Sequence, residues 1–116
     1  MSTPLTIESR REGEAAAVLA LAGEVDVSNV GEARAAALSL LEDGTKRLIL
    51  DISGVTYMDS SGLGMLVGVL KRLRESEGEL AIAGAAPGVK RLFEITGLEQ
   101  IFSLYDDMAA ALKEVR

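Results

Sequence analysis

Apolar and polar positions alternate through Leu5-Thr6-Ile7-Glu8-Ser9, the period of a half-buried strand. A charged turn, Arg10-Arg11-Glu12-Gly13-Glu14, separates it from the apolar run Ala15 to Leu21, which closes on Gly23 and predicts a hairpin partner. Glu24-Val25-Asp26-Val27-Ser28-Asn29 reads as a loop rich in side-chain oxygens. Asn29, followed three residues later by Glu32, resembles a capping box. The helix it opens carries Ala33, Ala37, Leu40 and Leu41 and stops at Asp43-Gly44.

Arg47 to Ile52 is short, aliphatic and bounded by turn residues, as expected of a buried central strand. A Gly54-Val55 turn and Thr56-Tyr57-Met58 then lead into Asp59-Ser60-Ser61-Gly62. Beyond it Leu63, Leu66, Val67, Leu70 and Leu73 form one stripe at helical period, ended by Glu77-Gly78. Leu80 to Ala83 is another short strand. Pro87 suits the first turn of a third helix carrying Val89, Leu92, Phe93 and Ile95 and stopped by Gly97. Phe102 to Tyr105 predicts an edge strand, and Asp106 or Asp107 caps a last helix with Met108, Leu112 and Val115 on one face. The order ββαβαβαβα predicts a small α/β domain over residues 1–116. Single helices between strands imply parallel pairing, so its sheet is mixed, with an N-terminal hairpin and helices packed on it.

Composition narrows the chemistry. The chain has 116 residues, neither His nor Cys, and 18 acidic against 12 basic residues, for a net charge of −6. The two missing residue types exclude Ser–His and Cys–His nucleophile pairs, His- or Cys-ligated zinc, thiol redox chemistry and disulfides. The acidic balance argues against nucleic acid as a partner. Met1-Ser2-Thr3-Pro4-Leu5 lacks the basic-then-apolar order of a signal peptide. The longest uncharged stretch, Ser60 to Leu70, has 11 residues, where a membrane span needs about 20. A cytoplasmic location without membrane insertion is the expectation.

Asp59-Ser60-Ser61-Gly62-Leu63-Gly64 is the most informative segment, because it stands where a strand-end loop meets a helix. Unpaired N–H groups and the helix dipole make such a place tolerant of an anion. The plainer reading is an ordinary helix cap, and spacing alone leaves both open. The glycines at 62, 64 and 68 miss the dinucleotide fingerprint by one residue; Gly64 and Gly68 more simply let the helix approach its sheet. No Gly-x-Ser-x-Gly or Ser-x-x-Lys pattern occurs, and a serine without a base is a poor nucleophile. Asp26, Asp51 and Asp59 suggest a hard-metal or phospho-aspartate trio, but the acidic pair such a receiver needs after its first strand is missing. No catalytic residue, metal ligand or cofactor is therefore assigned.

The same segment resembles the phosphoacceptor motif of the STAS domain, in particular of the bacterial anti-sigma factor antagonists. The resemblance extends to Gly23-Glu24-Val25-Asp26, to Arg47-Leu48-Ile49-Leu50-Asp51 and to Ile95-Thr96-Gly97-Leu98 with Ile101-Phe102, in order along nearly the whole chain. It implies a binding protein rather than an enzyme. The unphosphorylated form would bind an anti-sigma factor that is also a serine kinase, freeing a sigma factor. Phosphorylation would break that complex, and a PP2C-type phosphatase would restore it. The resemblance makes Ser61 the acceptor. Asp59 would position it, Gly62 would keep the helix start accessible, and Glu24, Asp26, Ser60, Leu63 and Gly64 complete the partner-binding surface. The free protein is expected as a monomer. The alternative is a STAS subunit of a transporter or lipid-trafficking complex, which would bind its partner without a phospho-switch.

Overall fold

A computed structural model describes residues 4–115. Strands β1 (Thr6–Arg11) and β2 (Ala16–Val25) form the hairpin, followed by α1 (Val30–Glu42), β3 (Arg47–Met58), α2 (Ser60–Glu75), β4 (Glu79–Ala83), α3 (Pro87–Thr96), β5 (Ser103–Tyr105) and α4 (Met108–Val115). This is the predicted order. The five strands pair as β1-β2-β3-β4-β5, the first pair antiparallel and the others parallel. A short 3₁₀ turn at Leu98–Gln100, which no periodicity announced, carries the chain from α3 to β5.

Both faces of the central strands are buried, which is why they read as continuous aliphatic runs rather than as alternation. Leu19, Leu48, Leu50, Ile52 and Ile82 point into the larger core with residues of α1, α2 and α3, while Val18, Ile49, Ala81 and Ala83 pack beneath α4. In the larger core Phe93 of α3 meets Phe102 edge-to-face, with ring centroids 5.6 Å apart. Ala111, Met108 and Leu112 supply the face of α4; the side chain of Val115 lies outside the described residues, as do residues 1–3. The cap of α4 is Asp107, whose carboxylate accepts from the Ala110 N–H at 2.9 Å.

Several expectations need correction. The strands are longer than the hydrophobic runs. β1 extends through Arg11 into the expected charged turn, β2 continues through Glu24 to Val25, and β3 continues through the expected turn to Met58. The β2–β3 pairing survives because its register shifts between Ala20 and Ala22 and again between Gly23 and Glu24, absorbing residues that do not fit a regular ladder. Gly54 marks a close strand approach instead of a turn: a Cβ there would lie 2.7 Å from the Ala22 Cβ. On α3, Ile95 falls off the buried stripe and is 68% exposed. Gly64 and Gly68 face outward with open space around them and do not mediate contact between α2 and the sheet.

Because Phe93 is fully buried and paired with Phe102, Phe93→Ala is expected to lower unfolding stability by about 3–5 kcal/mol. In urea denaturation this would shift the midpoint at unchanged slope; a loss below about 1 kcal/mol would mean that α3 contributes little to the core.

Candidate functional site

The extended strands deliver the site. With β2 ending at Val25 and β3 at Met58 in register, Asp59 begins α2 directly beside the end of β2, and its N–H donates to the Val25 carbonyl at 3.2 Å. Asp59 keeps extended backbone angles and acts as the N-cap. Its Oδ1 accepts from the Ser61 N–H at 2.9 Å and the Gly62 N–H at 3.4 Å. The Ser61 hydroxyl donates to the same oxygen at close range. One carboxylate thus satisfies N–H groups that the helix itself leaves unpaired.

These bonds hold the Asp59 carboxyl below its ordinary value of 3.8, with the Ser61 hydroxyl the largest cause. Partial burial acts in the opposite direction. N–H groups of Ser61, Gly62 and Val27 add to the lowering. Val27 belongs to the neighbouring β2–α1 loop, so Asp59 joins the two loops through both its backbone and its side chain. Ser60, at the first helical position, is exposed, and Ser61 is half-buried.

The β2–α1 loop is braced by its own side chains. Asp26 accepts from the Ser28 N–H at 2.9 Å and from the Ser28 hydroxyl. The Asn29 Oδ1 accepts from the Asp26 N–H at 3.0 Å, and the Asn29 amide donates to the Glu24 carbonyl at 2.8 Å. The predicted capping box is therefore absent: Asn29 occupies the N-cap of α1 without a side-chain cap bond, since its amide holds the loop instead. Glu24 stands across the β2–β3 pairing from Tyr57.

Of the residues assigned from sequence, Asp59, Ser60, Ser61, Glu24, Asp26 and Gly64 lie on or at the edge of this surface. Gly62 and Leu63 do not. Leu63 belongs to the core, and Gly62 is buried where a Cβ would come 2.5 Å from the Met58 Cγ and 3.2 Å from the Val25 Cγ1. Gly62 thus permits the first turn of α2 to sit down on the strand ends, a packing role rather than one of access. The structure adds two residues that were passed over, Val27 at 78% and Tyr57 at 51% exposure. Their only signal was an apolar residue inside a polar loop and an aromatic one just before the motif. Asp51 stays away from the trio proposed for it. It lies within β3, opposite Ala20 and Ala83, with its carboxylate bonded to the Ser53 N–H and hydroxyl.

Among the described residues no group of three or more acidic side chains is placed to hold a metal ion. None of the described helices is long and apolar enough to cross a membrane.

Comparison with known proteins agrees with this geometry. The STAS domain profile matches residues 6–111. The chain is 43% identical over 79 residues to an anti-sigma-B factor antagonist of Staphylococcus aureus, covering 68% of this chain and 73% of the relative. A crystal structure of an anti-sigma factor antagonist from Mycobacterium paratuberculosis superposes with a TM-score of 0.88 at 26% identity, covering 100% and 99% of the two chains. SpoIIAA of Bacillus, solved in its phosphorylated form, has the same fold, with a TM-score of 0.77 at 22% identity over 96% of this chain and 100% of that one.

Removing the cap by Asp59→Ala is expected to cost about 0.5–2 kcal/mol at neutral pH. The folded-state pKa of Asp59 is depressed, so the contribution of its charge is complete above the unfolded value of 3.8 and declines as pH falls through the folded value. The stability gap between wild type and Asp59→Ala should therefore narrow in acid, as read by denaturation at pH 7 and below pH 3. A gap independent of pH would show that the charge of Asp59 does not support the cap.

Proposed function

The chain belongs to the STAS domain family, and from that premise we propose that it is an anti-sigma factor antagonist whose binding is switched by phosphorylation of Ser61. The observation that carries this reading is the placement of the Ser61 hydroxyl, bonded to Asp59 in the first turn of α2. The curated relative in Staphylococcus aureus bears the name of such an antagonist, and a neighbour of the same fold exists in a phosphorylated form.

In this reading the partner is an anti-sigma factor with serine kinase activity, met in the cytoplasm by a monomeric antagonist. The kinase transfers the γ-phosphoryl group of ATP to the Ser61 oxygen, releasing ADP and the hydroxyl proton. A PP2C-type phosphatase hydrolyses the ester and restores the serine. The chain itself acts by binding.

Charge explains why one phosphate suffices. Phosphoserine adds about −1.5 to −2 at neutral pH. At the start of α2 the helix dipole and the local N–H groups compensate part of that charge within the domain. Against a docked partner the same charge joins Glu24, Asp26 and Asp59, adding repulsion and desolvation. A penalty of about 3–4 kcal/mol weakens binding a few hundred-fold. The fold stays as it is and the surface changes.

Incubation with the anti-sigma factor kinase and radiolabelled ATP is expected to label wild type and Ser60→Ala but leave Ser61→Ala unlabelled; label retained by Ser61→Ala overturns the assignment. Ser61→Asp is expected to weaken kinase binding while keeping the native circular dichroism spectrum. Loss of that spectrum would make Ser61 a structural cap instead.

A further inference from the structure

The helices α1 and α2 enclose a groove of about 190 Å³ lined by Arg34, Leu38, Met65, Gly68, Val69 and Arg72. Its floor is apolar, and its rim carries a guanidinium from each helix. Among the described residues neither Arg34 nor Arg72 forms a salt bridge, although acidic residues outnumber basic ones 18 to 12 in the chain. A side chain of leucine or phenylalanine size fits such a volume, and unpaired arginines call for carboxylates.

The groove opens on the same side of α2 as Ser61. Ser61, Gly64, Gly68 and Arg72 follow one another on α2 at spacings of three and four residues, which places them along one side of the helix. Gly68 is exposed, with nothing within 4 Å of a would-be Cβ, so the fold does not require a glycine there. A glycine in the middle of an exposed helix is unfavourable relative to alanine, and contact with another molecule supplies a reason for it.

We propose that this groove is a second contact for the partner that reads Ser61, and that it receives an apolar side chain flanked by carboxylates on an acidic segment of the anti-sigma factor. The inference rests on the function proposed above and specifies the partner's surface. That surface has a basic region facing Glu24, Asp26 and Asp59. It also has an acidic segment facing Arg34, early in α1, and Arg72, near the end of α2. Opposite charges at the two contacts fix the orientation of the complex as well as its strength.

The test measures binding of the anti-sigma factor kinase to the full chain by calorimetry, alongside labelling of Ser61. Arg34→Glu/Arg72→Glu is expected to weaken binding about tenfold or more and to flatten its salt dependence, because two charge pairs become repulsive. Gly68→Leu fills the groove with a better helix former, so it should leave the melting temperature equal or higher while weakening binding. Wild-type binding retained by both variants overturns the groove contact and leaves the function proposed above standing. Absence of both binding and Ser61 labelling in wild type overturns that function and the groove contact together. A dimer of this chain that Arg34→Glu/Arg72→Glu dissociates would assign the groove to a second copy and also overturn the proposal.

Discussion

A single carboxylate governs the functional end of the molecule. Asp59 caps α2, accepts the hydroxyl of Ser61 and ties the helix to the end of β2 through its own N–H on the Val25 carbonyl. The helix start must lie beside β2 for the Val25 bond, and the Ser61 hydroxyl must turn back toward the cap for its bond to form. Gly62 allows that geometry, because any side chain there would meet Met58 and Val25. The buried strands beneath serve largely to bring Val25 and Met58 side by side.

Under the proposed function, this arrangement separates stability from regulation. The core is built from the two faces of the central sheet and its helices, while the Ser61 hydroxyl belongs to the cap at its margin. In the proposed switch, modification at the margin leaves the core untouched. The Ser61 and Gly62 N–H groups are engaged by Asp59, and the helix dipole still favours negative charge there. What changes is the field presented to a docking protein, on a surface that already holds Glu24, Asp26 and Asp59. Arg34 of α1 and Arg72 of α2, beside Leu38 and Met65, add a basic rim between the two helices.

The order of elements was legible because each helix carried its own periodic stripe and each central strand was aliphatic on both faces. Asp59 was legible as a cap from its place before a helical stripe. Two kinds of feature were not. Strand length depends on pairing with a neighbour, so the bulges that carry β2 to Val25 and β3 to Met58 have no local signal, and Gly54 looked like a turn when it is a close strand contact. Side-chain direction depends on tertiary packing. Asn29 had a capping partner at the right spacing in Glu32, yet its amide braces the preceding loop. The glycines of the motif looked alike in sequence, while the structure buries Gly62 and exposes Gly64.

The central claim is that charge at Ser61 alters the surface and leaves the fold in place. It is tested most directly by comparing backbone amide NMR spectra of the full chain before and after enzymatic phosphorylation. The account predicts shift changes confined to the first turn of α2 and the β2–α1 loop, with hydrogen-exchange protection of β2, β3 and β4 unchanged. Changes spread through those strands, or a general loss of protection, would contradict it.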